Sequence, residues 1–253
     1  KKLYNAVLQL LDLTEKNNIN AENLLKEIVR CLYILNIERK DRLRTLLREL
    51  ESTEESIPLS SEDVVQIFEH HIGCRGASRL PVLIVAAAYK AASEYLKEKI
   101  LALHAHNAAD RQTGALGDVE ITLIDDKKVI TSYEMKLKKV VKSDIDNALN
   151  KIVTAKVKID NYIFISTESS DEDVIEYAKS QYSETKGIEF VILDCISFAK
   201  HFLHLFHRIR IDYLNAYQEL VLSEPESAIS QSLKEIFLNL RLEAERQYIN
   251  DSE

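Results

Sequence analysis

Two carboxylates and a lysine, Asp118, Glu134 and Lys136, occupy polar positions of the alternating stretch GDVEITLIDDKKVITSYEMKLK, residues 117–138. Apolar and polar residues alternate along both halves of this stretch, which predicts two strands joined by a turn. The alternation places Asp118 on the polar face of the first strand, and Glu134 and Lys136 on the polar face of the second. Charged side chains avoid a sheet interior, so this polar face either meets solvent or forms a site.

The three side chains share a face only in one kind of hairpin register. Asp118 and Glu134 lie opposite each other when directly paired positions add up to an even number. The connection between the strands then contains an odd number of residues, for instance Ile124–Lys128. A two-residue turn at positions 126 and 127 would separate the acids, so the register decides whether a site exists.

Helices are expected on both sides of the hairpin in the sequence. Residues 78–100, SRLPVLIVAAAYKAASEYLKEKI, predict a long helix with Ser78 as its N-cap and Pro81 in its first turn. A second helix is expected from Ser143 as its cap to Lys158. The residues expected on its inner side are Ile145, Leu149, Ile152 and Val153.

The remaining patterns define the fold class. The apolar runs YIFIS at 162–166 and IEFVILD at 188–194 predict strands buried on both faces, with a helix at about 171–183 between them. Strands separated by helices imply a mixed sheet with parallel crossovers, and hence an α/β protein. The first fifty residues and the chain after Ser197 are expected to be mainly helical.

Composition limits the class of function. With 46% hydrophobic and 29% charged residues, the 253-residue chain is neither a disordered tail nor a membrane protein. A net charge of -8 argues against a protein that coats nucleic acid non-specifically, but it allows a DNA enzyme with a locally basic groove. Three cysteines without a C-x-x-C pair favour a cytoplasmic location.

The order of a helix, a strand beginning Gly-Asp, a strand carrying Glu-Met-Lys, a helix and a further strand resembles the PD-(D/E)XK nuclease superfamily. The two acids of that motif match Asp118 and Glu134, and its lysine matches Lys136. Gly117 stands where the name-giving proline would be, at a position that varies in the superfamily. The resemblance implies a restriction-endonuclease-like core with a mixed central sheet flanked by helices.

A narrower resemblance rests on three stretches. SRLPVLIVAAAYKA (78–91), HNAADRQTGALGDVEI (106–121) and YEMK (133–136) are similar to the SacI-type type II restriction endonucleases. The resemblance implies Mg²⁺-dependent, sequence-specific cleavage of double-stranded DNA by a homodimer. We expect a helical N-terminal region at 1–60, a nuclease core at 61–215 and a C-terminal helical segment at 216–253.

The expected chemistry is phosphodiester hydrolysis with a bound Mg²⁺. This ion prefers oxygen ligands, which Asp118 and Glu134 supply, with the Met135 backbone carbonyl as a candidate third ligand. Lys136 lies two residues beyond Glu134 and is expected either to stabilise the pentavalent phosphate or to orient and deprotonate the water.

Three further glutamates are auxiliary candidates. Glu120 shares the face of Asp118, where it is a metal ligand, a supporting group or an exposed side chain. Glu94 and Glu98, near the end of the upstream helix, could add a distant metal ligand, but a surface role is the favoured explanation for either one.

Candidate DNA contacts come from two segments. Asn107, Arg111 and Gln112 have side chains that pair in bidentate fashion with adenine or guanine edges, but a polar loop closed by its own hydrogen bonds explains them too. Lys138 and Lys139 either contact a phosphate backbone or form a solvated strand edge.

Other polar groups carry weaker hypotheses. Arg75 and Arg79 are second-choice phosphate contacts. His201, His204 and His207 are spaced by three along a predicted helix, but no acid or cysteine completes a zinc site near them.

Two alternatives to a restriction enzyme remain open from the sequence. One is a structure-specific repair or junction nuclease with the same fold. The other is a helical interaction protein in which the face with the acids and the lysine is inert.

Overall fold

A computed structural model of the chain describes residues 2–16, 18–52, 58–103 and 115–250. The chain divides into two compact units, residues 1–52 and residues 53–253. The first unit contains α1 (Lys2–Glu15) and α2 (Ala21–Glu51). The helices predicted for the first fifty residues are therefore confirmed, while the three domain ranges given above remain predictions.

The second unit alternates helices and strands around one sheet. Its elements are α3 (Ser61–Ile72), α4 (Leu80–Leu96), β1 (Glu98–Ile100), β2 (Val119–Leu123), β3 (Val129–Lys136), α5 (Lys142–Ala155), β4 (Asn161–Ser166), α6 (Glu172–Glu184), β5 (Glu189–Asp194), α7 (Cys195–Leu205), α8 (Arg210–Ser223) and α9 (Gln231–Asn250). Within the described ranges, no helix combines the length and the apolar character needed to cross a lipid bilayer.

The sheet has five strands in the order β1-β2-β3-β4-β5. The pairs β1–β2 and β2–β3 are antiparallel, whereas β3–β4 and β4–β5 are parallel. Helix α5 connects the first parallel pair and α6 connects the second, because parallel neighbours need a long crossover connection, which is usually a helix. The predicted α/β fold with a mixed sheet is confirmed.

Helices cover both faces of this sheet. On one face, α5 and α6 pack through Ile145, Ala148, Ile152, Val174 and Ala178 onto strand residues that include Tyr162, Phe164 and Phe190. On the other face, Tyr133 of β3 contacts Tyr89 of α4 and Phe198 of α7. Both faces of β3 are therefore at least partly covered, so polar groups on this strand need partners within the protein.

Helix α4 differs from its prediction at both ends. Ser78 lies in a short 3-10 turn, and Arg79 occupies the N-cap position without a side-chain capping bond. The expected Ser78 cap is therefore wrong, whereas Pro81 does lie in the first turn. Lys97 adopts a left-handed backbone conformation (φ 57°), which ends the helix and begins the short strand β1.

Helix α5 also begins differently from the prediction. Val141 is the N-cap, and its backbone N–H donates to Asp144 Oδ2 at 3.0 Å, so Ser143 is inside the helix and is not its cap. Ile145 and Ile152 are buried as expected, but the side of Val153 faces solvent, with 73% of the residue exposed. The Asp144 carboxylate, three residues after the N-cap, takes the capping role at the start of the helix that was expected of the serine.

Candidate active site

The pairing of β2 with β3 brings the two acids to one face. The pairs nearest the site are Val119↔Tyr133, Glu120↔Ser132 and Ile121↔Thr131. Each pair adds up to the same even number, and continuing this register by one residue beyond Val119↔Tyr133 sets Asp118, just before β2, opposite Glu134. The connection Ile124–Lys128 is the one predicted.

A β-bulge, not the connection alone, produces this register. Thr122 pairs with Val129 while the neighbouring Ile121 pairs with Thr131, so Ile130 is an extra residue on β3. A regular ladder continued from Thr122 would place Asp118 opposite Tyr133 and the acids on different faces. The alternation predicts the required parity but not the bulge that creates it.

Gly117 lets the chain pass close to β3 just before Asp118. A Cβ atom at this position would lie 2.5 Å from the Tyr133 carbonyl oxygen and 2.6 Å from Ser132 Oγ. Real Cβ atoms do not approach a backbone atom so closely, so only glycine fits. This close approach explains why a glycine, Gly117, stands where the motif that the sequence resembles has its proline.

Asp118 is fixed against β3 by two hydrogen bonds. Its backbone N–H donates to the Tyr133 carbonyl at 2.7 Å, and its Oδ2 accepts from the Met135 N–H at 2.8 Å. The carboxylate therefore lies beside the backbone segment that joins Glu134 to Lys136. Half-burial and a backbone donor both restrict the rotamers of this side chain.

Glu134 is held by three side chains. Its Oε1 lies 3.2 Å from Lys136 Nζ, and its Oε2 lies 2.9 Å from Lys151 Nζ and 2.8 Å from the Tyr162 hydroxyl. That hydroxyl also lies 2.7 Å from the Leu116 carbonyl, so its single proton serves two acceptors. Only 17% of the Glu134 side chain is exposed, which contradicts the alternative of a solvated sheet face.

Lys136 lies between two carboxylates. Besides Glu134, its Nζ contacts Asp144 Oδ1 at 3.0 Å. Burial lowers the pKa of Lys136, but the carboxylates of Glu134 and Asp144 outweigh it, so the pKa is raised overall. We call Glu134, Lys136, Asp144 and Lys151 the acid–lysine cluster; it contains two negative and two positive side chains.

The cluster opens into a cleft between β3 and α5. The cleft has a volume of about 1020 Å³ in the described part of the chain. Its lining includes Glu134 and Lys136 from the strand and four polar side chains of α5, Asn147, Asn150, Lys151 and Thr154. A ligand in this cleft would meet the acid, both lysines and a row of neutral hydrogen-bonding groups.

The donor types fit a hard divalent cation. Asp118 and Glu134 offer carboxylate oxygens, and Mg²⁺ is commonly held by one or two carboxylates with water and phosphate completing its shell. No group of three or more His, Cys, Asp or Glu side chains is arranged for a metal within the described residues. A metal on Glu134 Oε1 would require Lys136 to turn away from that oxygen.

The auxiliary glutamates lie in three different environments. Glu120 Oε1 accepts from the Leu116 N–H at 2.8 Å, so it fastens the segment before Asp118. Glu94 is exposed on α4 and pairs with Lys97. Glu98 is on β1 and not on the helix as expected; it pairs with Leu123, on the sheet face opposite the acids. Burial raises the pKa of Glu98.

The candidate DNA contacts are only partly described. Asn107, Arg111 and Gln112 lie outside the described residues. Lys138 is exposed just beyond β3, and Lys139 pairs with Asp171 at 2.7 Å.

The two arginines and the three histidines considered in the sequence do not contribute to the site. Arg79 forms a buried ion pair with Glu224 at 2.9 Å, which makes it unsuitable as a phosphate contact, whereas Arg75 is exposed. His204 lies 3.3 Å from Glu62 on the surface. His207 is in the 3-10 turn after α7, so the three histidines do not continue along one helix.

Sequence reasoning missed Asp144, Lys151 and Tyr162. Asp144 and Lys151 are two helical turns apart on α5, next to the apolar Ile145 and Ile152, and this spacing was a detectable signal. Tyr162 is the second residue of β4, and a buried tyrosine hydroxyl requires a partner. The strand that the α5 side chains face depends on how this crossover helix packs on the sheet. The periodicity of the sequence does not predict that packing.

Together, the sheet, its covering helices and the cleft define an α/β protein with an acidic, lysine-supported candidate active site. A family model described as the SacI restriction endonuclease C-terminal domain matches residues 71–168. This range is less than half of the chain, and it contains Asp118, Tyr162 and the whole acid–lysine cluster. The match supports a restriction endonuclease family, with DNA as the partner and DNA hydrolysis as the activity. No curated protein matches the chain at a significant level.

Proposed function

We propose that this protein is a type II restriction endonuclease of the PD-(D/E)XK superfamily, which uses Mg²⁺ to hydrolyse double-stranded DNA at a specific sequence. The observation that carries the proposal is that Asp118 Oδ2 accepts from the Met135 N–H, between Glu134 and Lys136, whose side chains form an ion pair at the same end of the β2–β3 hairpin. These residues lie within the range matched by the restriction endonuclease family model.

In the proposed mechanism, Asp118 and Glu134 would hold the ion, with the Met135 carbonyl as a candidate third ligand. When bound, Mg²⁺ would relieve charge on the phosphate and make a water more nucleophilic. Tyr162 and Lys151 hold Glu134 Oε2 in place. The other oxygen, Oε1, therefore faces Lys136. The Lys136 ammonium donates to the phosphate and stabilises charge that develops in the transition state.

DNA recognition is proposed to involve a homodimer, because short palindromic targets require two symmetry-related active sites. Asn107, Arg111 and Gln112 are proposed to read base edges in the major groove. Exposed Lys138 is proposed to contact the phosphate backbone beside the cleft. Lys139 is proposed to do the same once its ion pair with Asp171 is broken.

A pair of lysine substitutions tests the proposal. Lys136→Ala should reduce the cleavage rate by roughly a hundredfold or more and leave DNA affinity within a few-fold of the parent. Lys138→Ala, the matched control two residues away, should weaken DNA binding in a salt-dependent way and spare the chemical step. Single-turnover cleavage in Mg²⁺ and equilibrium binding in Ca²⁺ separate the two effects. Parental cleavage by Lys136→Ala would contradict the assignment.

Digestion of genome-sized DNA distinguishes the classes of nuclease. Discrete ends that share a sequence, found only with divalent ions, are the expected result. Cleavage confined to branched DNA would identify a junction nuclease instead. No cleavage under any divalent ion would favour an inert, charge-balanced cluster.

A further inference from the structure

Asp144 contacts the proposed catalytic lysine from outside the hairpin. Its Oδ1 lies 3.0 Å from Lys136 Nζ, and both side chains are largely buried, with 21% and 27% exposed. An ion pair shielded to this extent is stronger than a surface pair, because solvent screens it less. The position of the Lys136 ammonium therefore depends on α5 as well as on β3.

Asp144 is itself held by the backbone of its helix. Its second oxygen, Oδ2, accepts from the Val141 N–H at 3.0 Å, and its own N–H donates to the Val141 carbonyl at 2.9 Å. These contacts fix the carboxylate at the start of α5. Oδ1 is thus presented to Lys136 at a fixed place, independently of Glu134.

We propose that Asp144 is a positioning residue that aims Lys136 at the scissile phosphate. This inference rests on the proposed function, in which Glu134 becomes a metal ligand. Once Glu134 Oε1 is engaged by an ion, Asp144 is the carboxylate in contact with Lys136 that keeps its position. Asp144 does not contact the substrate; it acts through the lysine, as residues that orient catalytic groups do.

The variant Asp144→Asn separates this role from helix capping. The asparagine oxygen still accepts from the Val141 N–H, but the negative charge beside Lys136 is removed. Asp146→Asn is the matched control, because Asp146 lies on the same helix and accepts from the Tyr177 hydroxyl at 2.6 Å. We expect single-turnover cleavage by Asp144→Asn to be roughly tenfold slower or more. Its DNA affinity in Ca²⁺ should match that of the control.

A second measurement does not require activity. Acylation of each lysine by a small amine-reactive reagent, followed by mass spectrometry, reports how firmly Lys136 is held in the metal-free protein. We expect Lys136 to react several-fold faster in Asp144→Asn than in the parent, and at the parental rate in Asp146→Asn. Equal loss of rate, DNA affinity and melting temperature would indicate a purely structural Asp144 and overturn the inference.

The outcomes also separate this inference from the function beneath it. If the parent cleaves DNA and Lys136→Ala does not, parental cleavage by Asp144→Asn, or unchanged labelling of Lys136, would overturn the inference alone. If the parent shows no divalent-dependent cleavage, the proposed function fails and the positioning role fails with it.

Discussion

The carboxylate of Asp118 accepts a hydrogen bond from the backbone N–H of Met135, at 2.8 Å. Met135 separates Glu134 from Lys136, so this bond fastens one acid to the backbone that carries the other acid and the lysine. The two strands therefore position the site as one unit, and a change at Asp118 can alter charge and geometry separately.

Asp118→Asn should abolish divalent-dependent cleavage and leave the fold intact. The amide oxygen can still accept from Met135, whereas the charge that attracts a cation is lost. Thermal unfolding with and without millimolar Ca²⁺ measures this, because an ion that binds the folded state raises the melting temperature. The parent should gain stability on Ca²⁺ addition and the variant should gain little. An equal gain in both proteins would contradict a metal site at Asp118.

Gly117→Ala should destabilise the protein and eliminate cleavage. The added methyl would overlap the Tyr133 carbonyl, and a backbone atom cannot move aside cheaply. We expect a loss of about 1–3 kcal/mol or more in the free energy of unfolding, measured by urea denaturation. Gly73→Ala is the control, since its Cβ would have ordinary contacts of 3.4 Å and longer. Similar losses in both variants would contradict a special role for Gly117.

Lys151→Met should increase the response to divalent ions. Lys151 neutralises Glu134 in the metal-free protein, so its removal leaves excess negative charge that a cation can compensate. The metal-free variant should melt below the parent, and its gain on Ca²⁺ addition should be larger. Lys142→Met is the control, because Lys142 pairs with Asp173 away from the cleft. A smaller gain would instead show that Lys151 orients Glu134 for the ion.

Buried His71 should make the fold sensitive to mild acid. Burial lowers the pKa of His71 to about 4, while its ring contacts the Tyr217 hydroxyl at 2.9 Å and the Leu233 carbonyl at 3.0 Å. The unfolded chain, with a histidine pKa near 6.5, binds more protons between these values. Stability is therefore fully present above about pH 6.5 and declines toward pH 4, by on the order of 3 kcal/mol.

Unfolding of the His71→Gln variant across this pH range checks that expectation. The variant should be less stable than the parent at neutral pH but should lose less stability on acidification. His70→Gln, a change at the exposed neighbour, should retain the parental pH dependence. An unchanged slope in His71→Gln would assign the acid sensitivity to other groups.

Sequence reasoning performed best where one strand or helix decides the outcome. Alternation identified the hairpin with Asp118 and Glu134, and the apolar runs identified β4 and β5, because burial on one or two faces leaves a direct mark on the sequence. Strand β1 was not predicted, because its three residues directly follow a helix and are too few to show an alternating pattern. Sequence reasoning also failed at the Ser78 and Ser143 caps, since several polar residues near a helix start can compete for that position.

The sequence predicts the charged residues of the candidate site on the hairpin, but it does not predict the residues of α5 that contact them. Asp118, Glu134 and Lys136 share the face expected of them, whereas Lys151 and Asp144 reach that face only because α5 crosses over the sheet. Such contacts join residues distant in sequence, and their pairing depends on the packing angle of the helix. No local pattern encodes that angle.

The bulge at Ile130 has a consequence for how this hairpin folds. A regular ladder from Thr122↔Val129 would keep the alternation within each strand, but it would place Tyr133 and Asp118 on one face, so the apolar sides of the two strands would not match. The bulged ladder is favoured by contacts from outside the hairpin, among them the bond between the Tyr133 and Tyr89 hydroxyls at 2.8 Å. We therefore expect an isolated peptide of residues 117–138 to exchange between two registers. The choice of the register that joins the acids would then await the docking of α4 and α5, so the potential for chemistry would depend on tertiary packing and not on the hairpin alone.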